Sequence, residues 1–204
     1  MNTQKIVGWG AVGLGLATLV TGGLGLYERK LEQPAYDVVE KDGAYELHDY
    51  YPVLVAQTVV TGERSRSLNA GFNRLAGYIF GNKQEKIAMT APVFSDGSNG
   101  AWRTRFVMPA RFTAPTLPAM PDGVTAVELP ARRMAVVRFA GFGSDAQLAE
   151  QEARLREWLI ARGLDASGDA VIAFYNSPFV APPFRRNEVM IEVSSQAPPP
   201  QTGT

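Results

Sequence analysis

The sequence predicts an α+β fold. Two ββαββ units supply eight strands that curl into a distorted barrel or saddle with a helix against each half, preceded by an N-terminal transmembrane helix. Three observations lead there. Two stretches carry apolar residues at helical spacing with polar residues between them. Short strand-like runs flank both, so the order ββαββ occurs twice. A long stretch near the N-terminus carries no charge.

With 204 residues, the chain has room for one main domain and a short appendage. A hydrophobic fraction of 46% supports a packed core. The 20 basic and 20 acidic residues cancel, so the basic excess that nucleic-acid binding calls for is missing. Cysteine is absent, which excludes disulfides, thiolate metal sites, a cysteine nucleophile and a lipoprotein anchor.

The charge-free stretch runs from Ile6 to Tyr27. As a helix it would be about 33 Å long, against a hydrocarbon core of roughly 30 Å. Trp9 and Tyr27 stand near its ends, where interfacial aromatics belong. Lys5 precedes it and Arg29 and Lys30 follow, so the charge comparison is nearly tied. Residues 1–27 are therefore expected to be an uncleaved single-pass anchor, with the domain on the non-cytoplasmic side. A cleaved signal peptide is the alternative; the length of the stretch and the want of an A-x-A-like site before Tyr27 speak against it. Gly13, Ala17, Thr21 and Gly25 recur every four residues, as a helix-approach stripe or as the ordinary glycine of membrane helices. Residues 28–34 read as a charged linker, 35–193 as the domain, and the Pro-rich 194–204 as a disordered tail.

Within the domain, strands are expected at 45–49 and 53–60. A helix over 65–80 follows, with Leu68, Phe72, Leu75, Ala76 and Ile79 on one stripe and Gly81-Asn82 as its stop. Strands at 86–94 and 102–108 come next. In the first of these Ile87, Met89, Ala91 and Val93 alternate with Ala88, Thr90, Pro92 and Phe94. Pro92 lacks a ladder donor, so it marks an edge, a bulge or a strand start. The Pro-rich 108–123 connects the halves. Strands at 124–129 and 134–139 lead to a helix opened by Ser144 with Gln147 as a capping box. Leu148, Leu155, Trp158 and Leu159 form its apolar side, Glu150/Arg154 and Glu152/Arg156 pair on the wet side, and Gly163 ends it. Strands at 170–175 and 189–193 complete the second unit.

Several motifs occur in one order. They are Tyr45-Glu46-Leu47 with Tyr51-Pro52 and Val55-Ala56, then the stretch from Phe72 to Gly81, then Glu85-Lys86 with Met89-Thr90-Ala91-Pro92-Val93. Arg138-Phe139 with Gly141-Phe142, Tyr175-Asn176-Ser177-Pro178 and Arg186-Asn187-Glu188-Val189 follow. Together they resemble the SOUL/haem-binding family over nearly all of 35–193. The resemblance implies the duplicated ββαββ barrel, an architecture shared with gyrase-inhibitor-like ligand-sensing domains. It implies binding of haem or related tetrapyrroles, often through an apolar groove; it does not imply an enzyme. The chain departs from the family pattern at Met190, where Trp is usual. His48 stands where members often carry Arg, so no ligand role passes to it by position.

Haem iron takes His, Met, Cys or Tyr. His48, the single histidine, is a candidate iron ligand, with a hydrogen-bonded or surface role as the plainer reading. Met89 and Met190 are candidate weak ligands or core filler. Leu68, Phe72, Leu75 and Ile79 are the candidate pocket wall, with Arg64 and Arg66 at the helix start for the propionates; the same stripe also reads as plain core. Burying several hundred Å² of porphyrin at about 25 cal/mol/Å² yields roughly 10 kcal/mol before association costs, so haem needs no strong iron bond. The pairs Arg132/Arg133 and Arg185/Arg186 could meet propionates or lipid headgroups, or remain solvated. No H-E-x-x-H, Walker or dinucleotide pattern occurs. Glu188 or Tyr175 as a pocket base is the enzyme reading, against a structural role. The function expected is a membrane-anchored tetrapyrrole-binding protein acting in haem buffering, transfer or sensing. The alternative is a binding module for other amphipathic small molecules.

Overall fold

The computed structural model of the chain describes residues 28, 30–81 and 85–194. The expected transmembrane helix and all but the first residue of the expected tail lie outside them. Among the described residues no helix is long and apolar enough to cross a membrane.

The strands are β1 (Tyr36–Asp42), β2 (Tyr45–Tyr50), β3 (Val53–Thr61), β4 (Val93–Ser98), β5 (Ala101–Val107), β6 (Thr125–Leu129), β7 (Arg132–Phe139), β8 (Ala166–Phe174) and β9 (Asn187–Val193). Helix α1 (Arg64–Gly81) follows β3, and α2 (Asp145–Ala161) follows β7. All nine strands form one sheet in the order β1-β2-β7-β9-β8-β4-β5-β3-β6, and every pairing is antiparallel. The duplication is visible in the pairing. β2, which opens the first unit, lies beside β7 of the second, and β6, which opens the second, lies beside β3 of the first. The halves meet where β4 pairs β8, with Val93 opposite Phe174.

The α+β class and the two helices are as expected; in place of the distorted eight-stranded barrel or saddle the sheet is a nine-stranded half-barrel, in which β1 and β6 end the strand order without pairing each other. The ninth strand, β1, was not legible. Its side chains are exposed or half-buried throughout, so it carries none of the alternation that marks a strand against a core. The strand expected over 86–94 is also corrected: the ladder begins only at Val93. Pro92 has no N–H to give, the Ala91 N–H goes to Glu32 O at 2.9 Å, and the Thr90 hydroxyl goes to Val107 O at 2.7 Å. Ile87 and Met89 alternate because they pack as loop residues against the α1 core, not because they belong to a sheet.

Strand alternation sorts the side chains into three clusters. Ala135 and Val137 of β7 with Val189 and Ile191 of β9 face α2, through Leu148, Leu155 and Leu159. Ala56 of β3 and Phe106 of β5 face α1, through Leu75, Tyr78 and Ile79. The opposite face, with Val55, Phe94, Met134, Val136 and Met190, closes on itself inside the curl. Both helices thus sit on the outer face, one on each half. At the start of α2, Ser144 accepts from the Gln147 N–H at 3.4 Å, while the Gln147 side chain takes the N–H of Gly143 instead of Ser144, at 3.0 Å. The expected wet-side pairs form at 2.6 Å for Arg154–Glu150 and 2.7 Å for Arg156–Glu152. Of the stretch read as a linker, the described residues 28 and 30–34 contact the domain: Leu31 packs on the inner cluster and Glu28 bonds to Asn176 and Ser177.

Candidate ligand-binding cavity

A furrow runs over the β4–β8 seam beside α1, and α1 is pressed close to the sheet there. A Cβ on Gly71 would lie 2.6 Å from Thr104 Oγ1, so only glycine allows that approach. The helix stripe therefore divides. Leu75 and Ile79 point down into the core, at 0% and 2% exposure, whereas Phe72 stays 39% exposed at the edge and Leu68 is half-buried beside it.

Leu68 and Phe72 form one wall of a cavity of about 480 Å³, within the usual range of small-molecule sites, roughly 300–1,000 Å³. Met89, Val93, Phe142 and Phe174 supply further apolar surface. Most polar lining groups are committed elsewhere. Asn187 donates to Gly141 O at 3.1 Å, and Asn176 donates to Glu28 at 3.0 Å. The exceptions are Thr104 Oγ1 and Ser177 Oγ, which are buried and have no hydrogen-bond partner. An unpaired buried hydroxyl is costly unless something fills its bonding capacity, so these two mark where a ligand's polar atoms belong. Arg185 is the cation of the lining. It donates to Val180 O at 2.7 Å and Pro178 O at 2.6 Å, which leaves further guanidinium N–H groups for a carboxylate.

The expected site residues are thus only partly brought together. Leu68, Phe72 and Met89 line the cavity. Leu75, Ile79 and Met190 do not; they are core residues. Arg64 turns away to pair with Asp145, joining the two helix starts, and lines a neighbouring hollow. Arg66 is exposed at the helix start, where its N–H donates to Glu63 at 3.0 Å. Of the other basic residues, Arg133 forms a two-point pair with Asp49 at 2.6 and 2.7 Å, so it is not a free headgroup contact. Sequence reasoning missed Thr104, Phe142, Phe174 and Ser177. Phe142 and Ser177 lie in quoted motifs, but nothing in their spacing places them on one wall.

His48 is not in the cavity. It is fully buried within β2, stacked on Tyr36 at 4.1 Å between ring centroids, with Nε2 2.7 Å from Glu46. Burial lowers its pKa despite the Glu46 bond, which favours the neutral ring. The candidate iron ligand is thereby a core histidine, bonded at Nε2 and with its buried Nδ1 unpartnered, and no metal-ligating group of three or more His, Cys, Asp or Glu occurs among the described residues. Glu46 is pulled down to about 2: burial opposes this, but the Lys41 and His48 hydrogen bonds outweigh it. Glu188 is fully buried and accepts from Arg138 at 3.1 Å, Arg186 at 2.8 Å and Tyr175 at 3.0 Å. It too lies outside the cavity lining.

The SOUL heme-binding protein family matches residues 31–192. The chain belongs to that family. No curated protein matches it. The fold of this SOUL protein is similar to a hydrolase from Listeria innocua (11% identity, TM-score 0.54, covering 76% of this chain and 94% of that one). It is also similar to the C-terminal domain of EcmrR (13% identity, TM-score 0.56, covering 78% and 98%). At such identities the likeness is one of fold alone.

A tetrapyrrole fits the lining of this SOUL protein in one manner and not in another. The apolar walls suit a porphyrin face, and Arg185 with the two free hydroxyls suits carboxylates. Strong iron ligation is not offered: no imidazole lines the cavity, the Tyr175 hydroxyl is taken by Glu188, and Met89 presents the only lining sulfur. Bound haem would supply its redox-active, light-absorbing iron centre, while the chain's own residues would hold the ring by burial.

Proposed function

We propose that this protein binds haem or a related tetrapyrrole in the cavity between α1 and the loops that precede α2 and β9, and serves haem buffering, transfer or sensing. The observation that carries this is an apolar cavity of about 480 Å³ containing two buried hydroxyls without partners. Leu68, Phe72 and Phe174 take the ring by burial, Arg185 meets a propionate, and no side chain performs chemistry. Weak ligation is consistent with a carrier, because a ligand held mainly by apolar contact is released without breaking a strong metal bond. Family membership supports the ligand class. In this reading residues 6–27 anchor the domain to a membrane, on the non-cytoplasmic side.

A second reading has the same cavity taking another amphipathic molecule. The lack of a lining imidazole favours it. Titration of haemin into the detergent-solubilised full chain separates the two. A saturable Soret shift, weakened in Phe72→Ala, is the expected result. No shift at micromolar haemin, with fluorescent apolar probes still bound, would establish the second reading in place of the first.

A further inference from the structure

The loops at one end of the cavity carry three large, exposed aromatics. Phe179 is 78% exposed, Phe142 73% and Phe184 52%. They are not scattered. The Gly141 N–H donates to Pro182 O at 2.9 Å, which ties the Phe142 loop to the 177–185 loop. Arg185 lies over the Phe142 ring at 5.5 Å while its other bonds hold Pro178 and Val180. Phe142, Pro178 and Arg185 also line the cavity, so the aromatic rim is one end of the ligand site.

The chain leaves the domain at this same place. The Glu28 carboxylate accepts from Asn176 Nδ2 at 3.0 Å and from the Ser177 N–H at 3.1 Å, two residues before Phe179. Immediately before Glu28 in sequence stand the 22 uncharged residues from Ile6 to Tyr27, long enough as a helix to cross a bilayer. A chain anchored by them meets the lipid surface with the Phe142, Phe179 and Phe184 loops foremost.

We propose that this rim is a lipid-docking surface: the three phenylalanines insert at the boundary of headgroups and acyl chains, and the cavity opens onto the bilayer. Exposed aromatics on adjoining loops, with an arginine among them, suit that boundary. An amphipathic tetrapyrrole dissolved in the membrane then enters the furrow without crossing water. The docking itself rests on the membrane-anchored reading of residues 6–27, and the loading route rests also on the tetrapyrrole reading.

The absence of cysteine allows a direct test. Phe179→Cys in the full chain, labelled with bimane and reconstituted into vesicles of phosphatidylcholine brominated on its acyl chains, is expected to show blue-shifted and quenched emission. Ile160→Cys is the control, because Ile160 is equally exposed at 78% but lies about 22 Å further along α2 from its start; its label is expected to remain unquenched. Equal behaviour of the two labels, or a chain that fails to sediment with vesicles, overturns the proposal. Haemin is absent from this measurement, so a failed Soret titration leaves its outcome intact. The loading step is read separately. Phe179→Ser/Phe184→Ser, which touches no cavity-lining residue, should bind haemin from solution as the parent does and lose the faster uptake from haemin-loaded vesicles. Unchanged uptake overturns the route.

Discussion

The Tyr175 hydroxyl donates a 3.0 Å hydrogen bond to Glu188, a carboxylate with no exposed surface. Arg138 and Arg186 occupy its other oxygen, and the Arg186 guanidinium also lies over the Tyr175 ring at 3.7 Å. Burial and the Glu188 charge push the Tyr175 phenol well above its usual range, so it stays protonated. The two residues that the sequence left open as pocket bases therefore hold each other. Tyr175 contributes to the cavity wall without a free hydroxyl, and Glu188 does not reach the cavity.

Glu188→Gln should accordingly act on stability and not on ligand. It removes the charge that compensates two arginines, a class of change that costs about 3 kcal/mol. The midpoint of denaturant unfolding is expected to fall by the corresponding amount. Haemin affinity of the folded variant is expected to remain at the parent value, whereas an enzymatic role would show as turnover lost without loss of fold.

Acid should destabilise the protein in two stages. His48 has its pKa lowered from 6.5 by burial, so the unfolded chain takes up that proton more readily than the folded one. The stability it contributes is full above pH 6.5 and is lost as pH falls through the lowered folded value. Glu46 adds stability that is present above 4.5 and lost as pH falls towards about 2. Unfolding midpoints measured against pH should decline first below 6.5 and again below 4.5. His48→Gln should flatten the first decline and shrink the second without abolishing it, because Lys41 still bonds Glu46.

Much of this architecture was legible because burial on one face writes a period into the sequence. α2 is the clearest case: Ser144, the Leu148/Leu155/Leu159 side and the glutamate–arginine pairs all stand where spacing put them. β1 failed for the converse reason, being exposed at the sheet edge. Residues 86–92 misled because Ile87 and Met89 are apolar for a loop's packing. The site was half legible. Periodicity identified the α1 stripe but not where along it the core ends, since Leu75 and Phe72 differ only in what the sheet brings beneath them. Thr104 and Ser177 come from a strand and a loop distant in sequence, and their unpaired hydroxyls are a property of three-dimensional closure.

That division of the stripe predicts opposite phenotypes one helical turn apart. Leu75→Ala opens a hole in a wholly buried position and should cost about 3 kcal/mol of stability. Phe72→Ala removes a ring already 39% exposed and should cost about 1 kcal/mol, chiefly its edge contact with Phe106. On haemin the order reverses: Phe72→Ala should weaken affinity by about tenfold, while Leu75→Ala, once folded, should leave it nearly unchanged.

Gly71 and Thr104 offer a test of how the cavity is built. Gly71→Ala gains about 1 kcal/mol of helix propensity, yet its Cβ would stand 2.6 Å from Thr104 Oγ1 and 3.1 Å from Thr104 Cβ. Overpacking of that kind costs about 1–3 kcal/mol, so the single variant should be destabilised on balance. Thr104→Ala alone should be almost neutral, because the hydroxyl it deletes has no partner. The double variant should therefore recover stability that Gly71→Ala loses, a positive coupling readable from a double-mutant cycle. If α1 instead shifts outward to relieve the clash, the furrow widens. Gly71→Ala would then change haemin affinity while the double variant returns it to the value of Thr104→Ala alone, so stability and binding measured on the same four proteins distinguish a rigid wall from a yielding one.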